Sequence, residues 1–274
     1  MLGKTAVGRI ICIANRKGGV GKTTTAINLS AALGVAEEAT LLVDCDPQGN
    51  ASSGIGIKVE ENTPTIYEVL LGECDLQDAV QKTPIAHLEV LPANHDLIGA
   101  EVELLNVDNR EYRLQSLLRK GRERYKYILI DCPPSLGLLT VNALTAADSV
   151  LVPLQCEYYA LEGLRSLLET LTAIREQLNP DLAIEGILLT MFDARNKLSH
   201  QIVEEVRQFF PHNVFDTIIP RNVRLTESPS HGMPVILYDP SCRGAQSYVE
   251  LAHEITNRDP LAWTVLPHAE GAER

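Results

Sequence analysis

The chain has 274 residues, 45% hydrophobic and 22% charged, with 24 Lys+Arg against 36 Asp+Glu and a net charge of −12. That balance excludes a disordered chain and a molecule coated with positive charge, so any nucleic-acid contact has to come from a local patch on an acidic body. No apolar run approaches the ~20 residues of a membrane span.

The first apolar run, 10–14, is also too short for a signal-peptide core. Six cysteines, at 12, 45, 74, 132, 156 and 242, lie no closer than 24 positions apart. This spacing excludes CxxC zinc or redox motifs and suits reduced thiols in a cytoplasm. In chain order, the runs 10–14, 40–44, 88–92, 127–131, 149–153, 184–190 and 214–220 predict strands, and amphipathic stretches at 23–35, 161–178, 197–209 and 245–257 predict helices. Several runs are continuous rather than alternating, as strands covered on both faces of a parallel sheet are. End-to-end alternation predicts one doubly wound α/β domain over 1–258, a mostly parallel sheet with helices on both faces. Residues 259–274 show no clear period and are expected to form a flexible tail.

Ligands of such folds bind beyond the carboxyl ends of the strands, so the polar residues there are the candidates. After the first strand comes Asn15-Arg16-Lys17-Gly18-Gly19-Val20-Gly21-Lys22-Thr23-Thr24, running into a helix. Three glycines let successive backbone N–H groups converge on phosphate oxygens, and the helix N-terminus adds its positive dipole end. In such a loop Lys22 reaches the β- and γ-phosphates and the Thr23 hydroxyl binds Mg²⁺. A strict P-loop has glycine where Arg16 stands, so the loop is a variant, with a second lysine, Lys17, at its start.

Asp44 and Asp46 lie two apart at a strand end, which puts both side chains on one side if the extended geometry persists. Two carboxylates facing a triphosphate imply Mg²⁺ between them, although either could instead be a cap or turn aspartate before Pro47. Asp131 ends an apolar strand, where a carboxylate can hold Mg²⁺ through water, or merely cap a helix. Pro133-Pro134 then forces an extended exit.

The segment Lys17 to Thr24 resembles the deviant Walker A loop of the ParA/MinD class of ATPases. Leu41-Leu42-Val43-Asp44-Cys45-Asp46-Pro47-Gln48-Gly49-Asn50 is similar to the second motif of ParA/Soj-type partitioning proteins, and Ile128-Leu129-Ile130-Asp131-Cys132-Pro133-Pro134-Ser135 to their Walker B segment. Ile219-Pro220-Arg221-Asn222-Val223-Arg224 and the following Glu227 to Gly232 resemble their adenine-side segment. The likeness spans roughly residues 9–257.

What it implies is specific. The chain would be a Mg²⁺-dependent ATPase that partitions chromosome or plasmid DNA, cytoplasmic and nucleoid-associated. ATP would drive a face-to-face homodimer that binds double-stranded DNA without sequence preference, and slow hydrolysis would release it. A ParB-type centromere-binding protein would be the partner. Lys17 would cross the dimer interface to the other protomer's nucleotide, as an arginine finger does. Asp46 would orient the attacking water, Asp44 would lie near the Mg²⁺ shell, and Pro220 and Asn222 would read the adenine.

Arg195 and Arg224 match the DNA-binding arginines of Soj-like proteins, with structural pairing to carboxylates as the alternative. The basic run Arg119-Lys120-Gly121-Arg122-Glu123-Arg124-Tyr125-Lys126 is better read as a solvated helix end. Cys45 and Cys132 are expected to be buried small hydrophobes rather than cluster ligands. A MinD-like membrane ATPase is the alternative function. It needs a basic amphipathic C-terminal helix, and residues 259–268 contain two prolines and no lysine. No membrane partner is therefore expected.

Overall fold

The computed structural model describes residues 8–258. Seven strands form one sheet: β1 (Arg9–Ile13), β2 (Thr40–Asp44), β3 (Gln81–Lys82), β4 (Leu88–Leu91), β5 (Tyr127–Asp131), β6 (Ser149–Gln155) and β7 (Ala183–Thr190). Their order is β3-β4-β2-β5-β1-β6-β7. Only β3 pairs antiparallel, as a two-residue edge that leaves little backbone free for a foreign strand. Six helices of nine residues or more lie among the described residues: α1 (Lys22–Val35), α2 (Arg113–Gly121), α3 (Leu138–Ala146), α4 (Ala160–Gln177), α5 (Lys197–Phe209) and α6 (Arg243–Thr256). The predicted α/β class and two-sided covering hold.

Alternation along each strand divides the core in two. Ile11, Ile13, Leu42, Leu129 and Leu151 pack with Leu29 and Leu33 of α1 and Tyr248 and Leu251 of α6. Ile10, Cys12, Val43, Ile130 and Val152 face Leu114 of α2, Leu144 of α3, Leu164 of α4 and Ile202 of α5. Helix α1, expected to be amphipathic, is instead buried nearly all round, its small polar residues Thr25, Asn28 and Ser30 included. The Thr25 and Tyr248 hydroxyls, 3.2 Å apart, pin it to α6.

The predicted strand 214–220 is a correction. Only isolated bridges form, Ile187 with Val214 and Phe192 with Pro220. Between them the Asp216 and Thr217 N–H groups donate to the Glu254 carboxylate of α6, at 2.9 and 3.1 Å, instead of to the sheet. The Phe215 ring also lies where a Cβ on Gly186 would be, only 2.5 Å from its nearest atom, so close approach here depends on glycine. The proposed tail, 259–274, lies outside the described residues.

The basic run is quiet. Arg122 pairs with Asp148, Arg124 with Glu89 at 3.6 Å, and Lys126 with Glu38 at 2.7 Å. These pairs flank the amino end of β5, away from the first loop. Cys12, Cys45, Cys132 and Cys156 are buried and unbridged. Among the described residues no helix is long and apolar enough to cross a membrane.

Candidate nucleotide site

The loop between β1 and α1 takes the conformation its glycines allow. Gly19 and Gly21 have φ of +75° and +94°, a region that side chains rarely enter. Gly21 is also the N-cap of α1. It offers no side-chain cap, and the first helical turn holds no acidic residue. The N–H groups at this helix start are therefore left for an external anion.

The loop is braced from below by residues the sequence did not single out. Asn15, buried directly after β1, donates to the Pro153 carbonyl at 2.8 Å and accepts the Lys17 N–H at 3.0 Å. The Thr190 hydroxyl at the end of β7 donates to the Val20 carbonyl at 2.9 Å. A buried asparagine closing an apolar strand was a visible signal for the first brace. The second joins residues 170 apart.

The two lysines have opposite environments. Lys22 is buried to 7% exposure, and its Nζ donates to the Lys17 carbonyl at 3.2 Å, curling back over the loop. Burial pulls its pKa below the usual lysine value, opposed by the nearby Asp131, Cys132 and Asp46. Lys17 instead points outward, with its side chain 45% exposed, and forms an ion pair with Glu157. Arg16, the departure from the P-loop pattern, reaches Ser166 on α4.

Parallel pairing sets Asp44 opposite Asp131 at the carboxyl ends of β2 and β5. Both carboxyls are fully buried. Both Asp131 oxygens lack a hydrogen-bond partner. Burial, followed by the charge of Asp44, holds the Asp131 pKa well above the ordinary carboxylate range; the Thr23 hydroxyl acts in the other direction, short of a full hydrogen bond. A buried, unpartnered carboxylate beside a threonine hydroxyl fits a hard cation such as Mg²⁺. Among the described residues no three acidic, histidine or cysteine side chains form a metal cage. Mg²⁺ takes one or two protein ligands and completes its shell with phosphate and water.

Asp44 is engaged differently. Its Oδ2 accepts from Ser52 N at 2.8 Å and Ser52 Oγ at 2.7 Å, and its Oδ1 accepts from Asp46 N at 3.2 Å. Asp46 follows in a turn, with its Oδ1 accepting from Gln48 N at 3.0 Å and its carbonyl from Gly49 N at 2.9 Å. Asp44 therefore fixes the turn that carries Asp46.

Burial pushes the Asp44 pKa up to about 6, against the pull of the Ser52 bonds and with the Asp46 charge adding to the rise. The folded state consequently binds a proton that the unfolded chain, near 3.8, has released. Stability is lost as pH rises from about 4 to about 6 and stays lost above. Asp44→Asn removes this titration. Urea unfolding of nucleotide-free protein is expected to show the variant gaining stability relative to the parent chain between pH 4 and 7.5. A constant difference across that range would mean that Asp44 titrates normally.

On the far side, Asn222 caps the short helix Val223–Glu227 by accepting Arg224 N at 2.8 Å, which leaves its amide N–H₂ free. The Pro220 turn and the loop after β7 are joined by Phe192 N to Ile219 O at 3.1 Å and Arg221 N to Phe192 O at 2.9 Å. Arg195 and Arg224 therefore belong to neighbouring loops. Each is exposed and paired: Arg195 with Asp193 at 3.0 Å, Arg224 with Glu227 at 2.8 Å and Asp239 at 3.2 Å.

Comparisons with known proteins agree with this geometry. A family model described as an AAA domain matches residues 8–184. The chromosome partitioning protein ParA of Myxococcus xanthus is 61% identical over 257 residues, which cover 94% of this chain and 91% of that protein. The sporulation initiation inhibitor protein Soj of Bacillus subtilis is 54% identical over 249 residues, covering 91% and 98%. Among solved structures, cobyrinic acid a,c-diamide synthase from Mycobacterium smegmatis, with bound ATP analog and magnesium, superposes with a TM-score of 0.80 at 37% identity, covering 94% of this chain and all of that one. With its variant glycine loop and the unpartnered carboxylate of Asp131, the chain belongs to the ParA/Soj family of partitioning ATPases, which use ATP and Mg²⁺.

Proposed function

We propose that the domain formed by residues 1–258 cycles between an open protomer and an ATP-closed dimer that holds DNA. The observation that carries this is the opposite setting of the two lysines. Lys22 is buried over its own loop, whereas Lys17 faces outward, held only by a surface ion pair with Glu157 that a second molecule can displace. In this reading Gly18, Gly19, Val20, Gly21, Lys22 and Thr24 hold the triphosphate. Thr23 and Asp131 hold Mg²⁺, and Asp44 adds charge from behind while it fixes Asp46. Bound there, Mg²⁺ would supply positive charge that offsets the negative charge of the triphosphate.

Asp46 orients the attacking water, and Lys17 arrives from the other protomer to offset the developing negative charge. Site completion is thereby tied to dimerisation. Pro220 and the free Asn222 amide face the adenine.

Arg195 and Arg224 then meet DNA phosphates. Their present partners are carboxylates at the solvent-accessible surface, where ion pairs are weak, so phosphates can displace them. One protomer offers too few contacts to hold DNA against a charge of −12. Two protomers on one duplex add their electrostatic contributions and lose orientation only once. A ParB-type protein would stimulate hydrolysis, and the DNA-bound state would place the protein on the nucleoid, with no membrane partner.

DNA binding is accordingly expected to need ATP, to ignore sequence and to weaken steeply with salt. Arg224→Ala should lower the log–log salt slope by about 2 per dimer if each arginine meets one phosphate. Filter binding or anisotropy across a salt series reads this directly. An unchanged slope would remove Arg224 from the DNA contact.

A further inference from the structure

We infer that Thr190 is a positioning residue for the nucleotide: its hydroxyl fixes the spacing between the phosphate loop and the base-side turn, so that triphosphate and base are gripped as one unit. The inference rests on the base-reading role proposed for Pro220 and Asn222.

Thr190 closes β7 and is buried to 2% exposure. Its carbonyl and its hydroxyl run to different elements. The carbonyl accepts Cys156 N, just beyond β6, at 3.2 Å, and the hydroxyl donates to the Val20 carbonyl at 2.9 Å. Val20 lies between Gly19 and Gly21, the two loop glycines at positive φ, so the bond pins the loop where its backbone is freest to rotate. The Thr190 methyl faces Gly21, with Cγ2 3.9 Å from where a Cβ on that glycine would stand.

The same strand end holds the base-side turn. Ile219 donates its N–H to Leu189 O at 2.9 Å and its carbonyl accepts Phe192 N at 3.1 Å, while Arg221 N donates to Phe192 O at 2.9 Å. Thr190 thus lies between the two residues that carry Pro220 and Asn222. Met191, next in the chain, takes φ of +52°, a conformation costly for a residue with a side chain. That cost falls where contact with the phosphate loop gives way to contact with the turn.

A ligand with a base at one end and phosphates at the other gains from both grips only if their separation matches its own length. The strand end from Leu189 to Phe192 sets that separation. Without the hydroxyl, the Val20 carbonyl loses this donor and the loop shifts against the turn. Phosphates still bind, but the base then meets Asn222 out of register.

The test uses the full chain with Mg²⁺ below dimerising concentrations, and two ligands: a non-hydrolysable ATP analogue and inorganic tripolyphosphate, which has no base. Thr190→Val keeps the side chain's shape and removes the hydroxyl. Titration calorimetry should show the analogue weakened about tenfold, the scale of one hydrogen bond, and tripolyphosphate by less than about threefold. Asn222→Ser, which keeps a cap oxygen and loses the amide, should weaken the analogue about fivefold in the parent chain but less than about twofold beside Thr190→Val. Such non-additivity marks coupled sites, since independent substitutions add. Thr190→Ser retains the hydroxyl and should preserve the full effect of Asn222→Ser.

Unchanged analogue affinity in Thr190→Val, equal losses for the two ligands, or additive effects of the two substitutions would each overturn the assignment. Should Asn222→Ser leave the parent chain's affinity for the analogue unchanged, the base-side reading falls instead, and this inference with it.

Discussion

Asp46→Ala is expected to lower ATP turnover at least about 100-fold while ATP affinity stays within about threefold. The reason lies in how its turn is built. The Asp46 carboxylate is nearly buried and is aimed by two hydrogen bonds: its Oδ1 accepts from Gln48 N, and its own N–H donates to Asp44 Oδ1. Truncation removes the group that orients water, but leaves the glycine loop, Lys22 and the helix N-terminus that hold phosphate. An ATP-bound dimer should accumulate, visible by light scattering beside a phosphate-release assay. Turnover at the parent rate in the purified variant would take Asp46 out of the mechanism.

The second large effect separates the lysines. Lys22→Ala should cost monomer nucleotide affinity about 2–3 kcal/mol, roughly 30- to 150-fold, the scale of a lost charge-assisted phosphate contact. Lys17→Ala should bind nucleotide in the monomer nearly as the parent chain does, yet neither dimerise nor hydrolyse. Titration calorimetry at concentrations below dimerisation distinguishes the two. Equal losses in both variants would contradict a trans role for Lys17.

Local features were legible in the sequence, and long-range ones were not. A run of glycines with a lysine after an apolar strand has one good conformation, so the loop could be recognised without coordinates. Asp131 was visible for a related reason: a carboxylate closing a continuous apolar strand has few alternatives. The partners that set the behaviour of the site were hidden. Glu157 lies 140 residues from Lys17, and nothing in either neighbourhood marks the pair. Ser52, eight residues from Asp44, turns a presumed metal-shell carboxylate into the support of its neighbour.

The stretch 214–220 was misread because Val214, Phe215, Ile218 and Ile219 carry a strand's apolar content. The competing acceptor, Glu254, lies 38 residues beyond Asp216. Pattern reports what a segment could bury. It does not report which acceptor captures its N–H groups.

The buried cysteines give the molecule a built-in gauge of local opening. Cys45 sits between Asp44 and Asp46, and Cys132 follows Asp131 with its Sγ 3.2 Å from that of Cys12. Burial, then the neighbouring thiol and carboxylates, holds the Cys45 pKa well above normal, and the hydrogen bond with the Cys12 thiol, then burial, does the same at Cys132, so neither presents a reactive thiolate while the fold is closed. Their exchange with a soluble disulfide reagent therefore waits on excursions that expose the carboxyl ends of β2 and β5. With the partly exposed Cys74 and Cys242 replaced by serine, the rate of that exchange measures the opening free energy of the carboxyl end of the sheet in each nucleotide state.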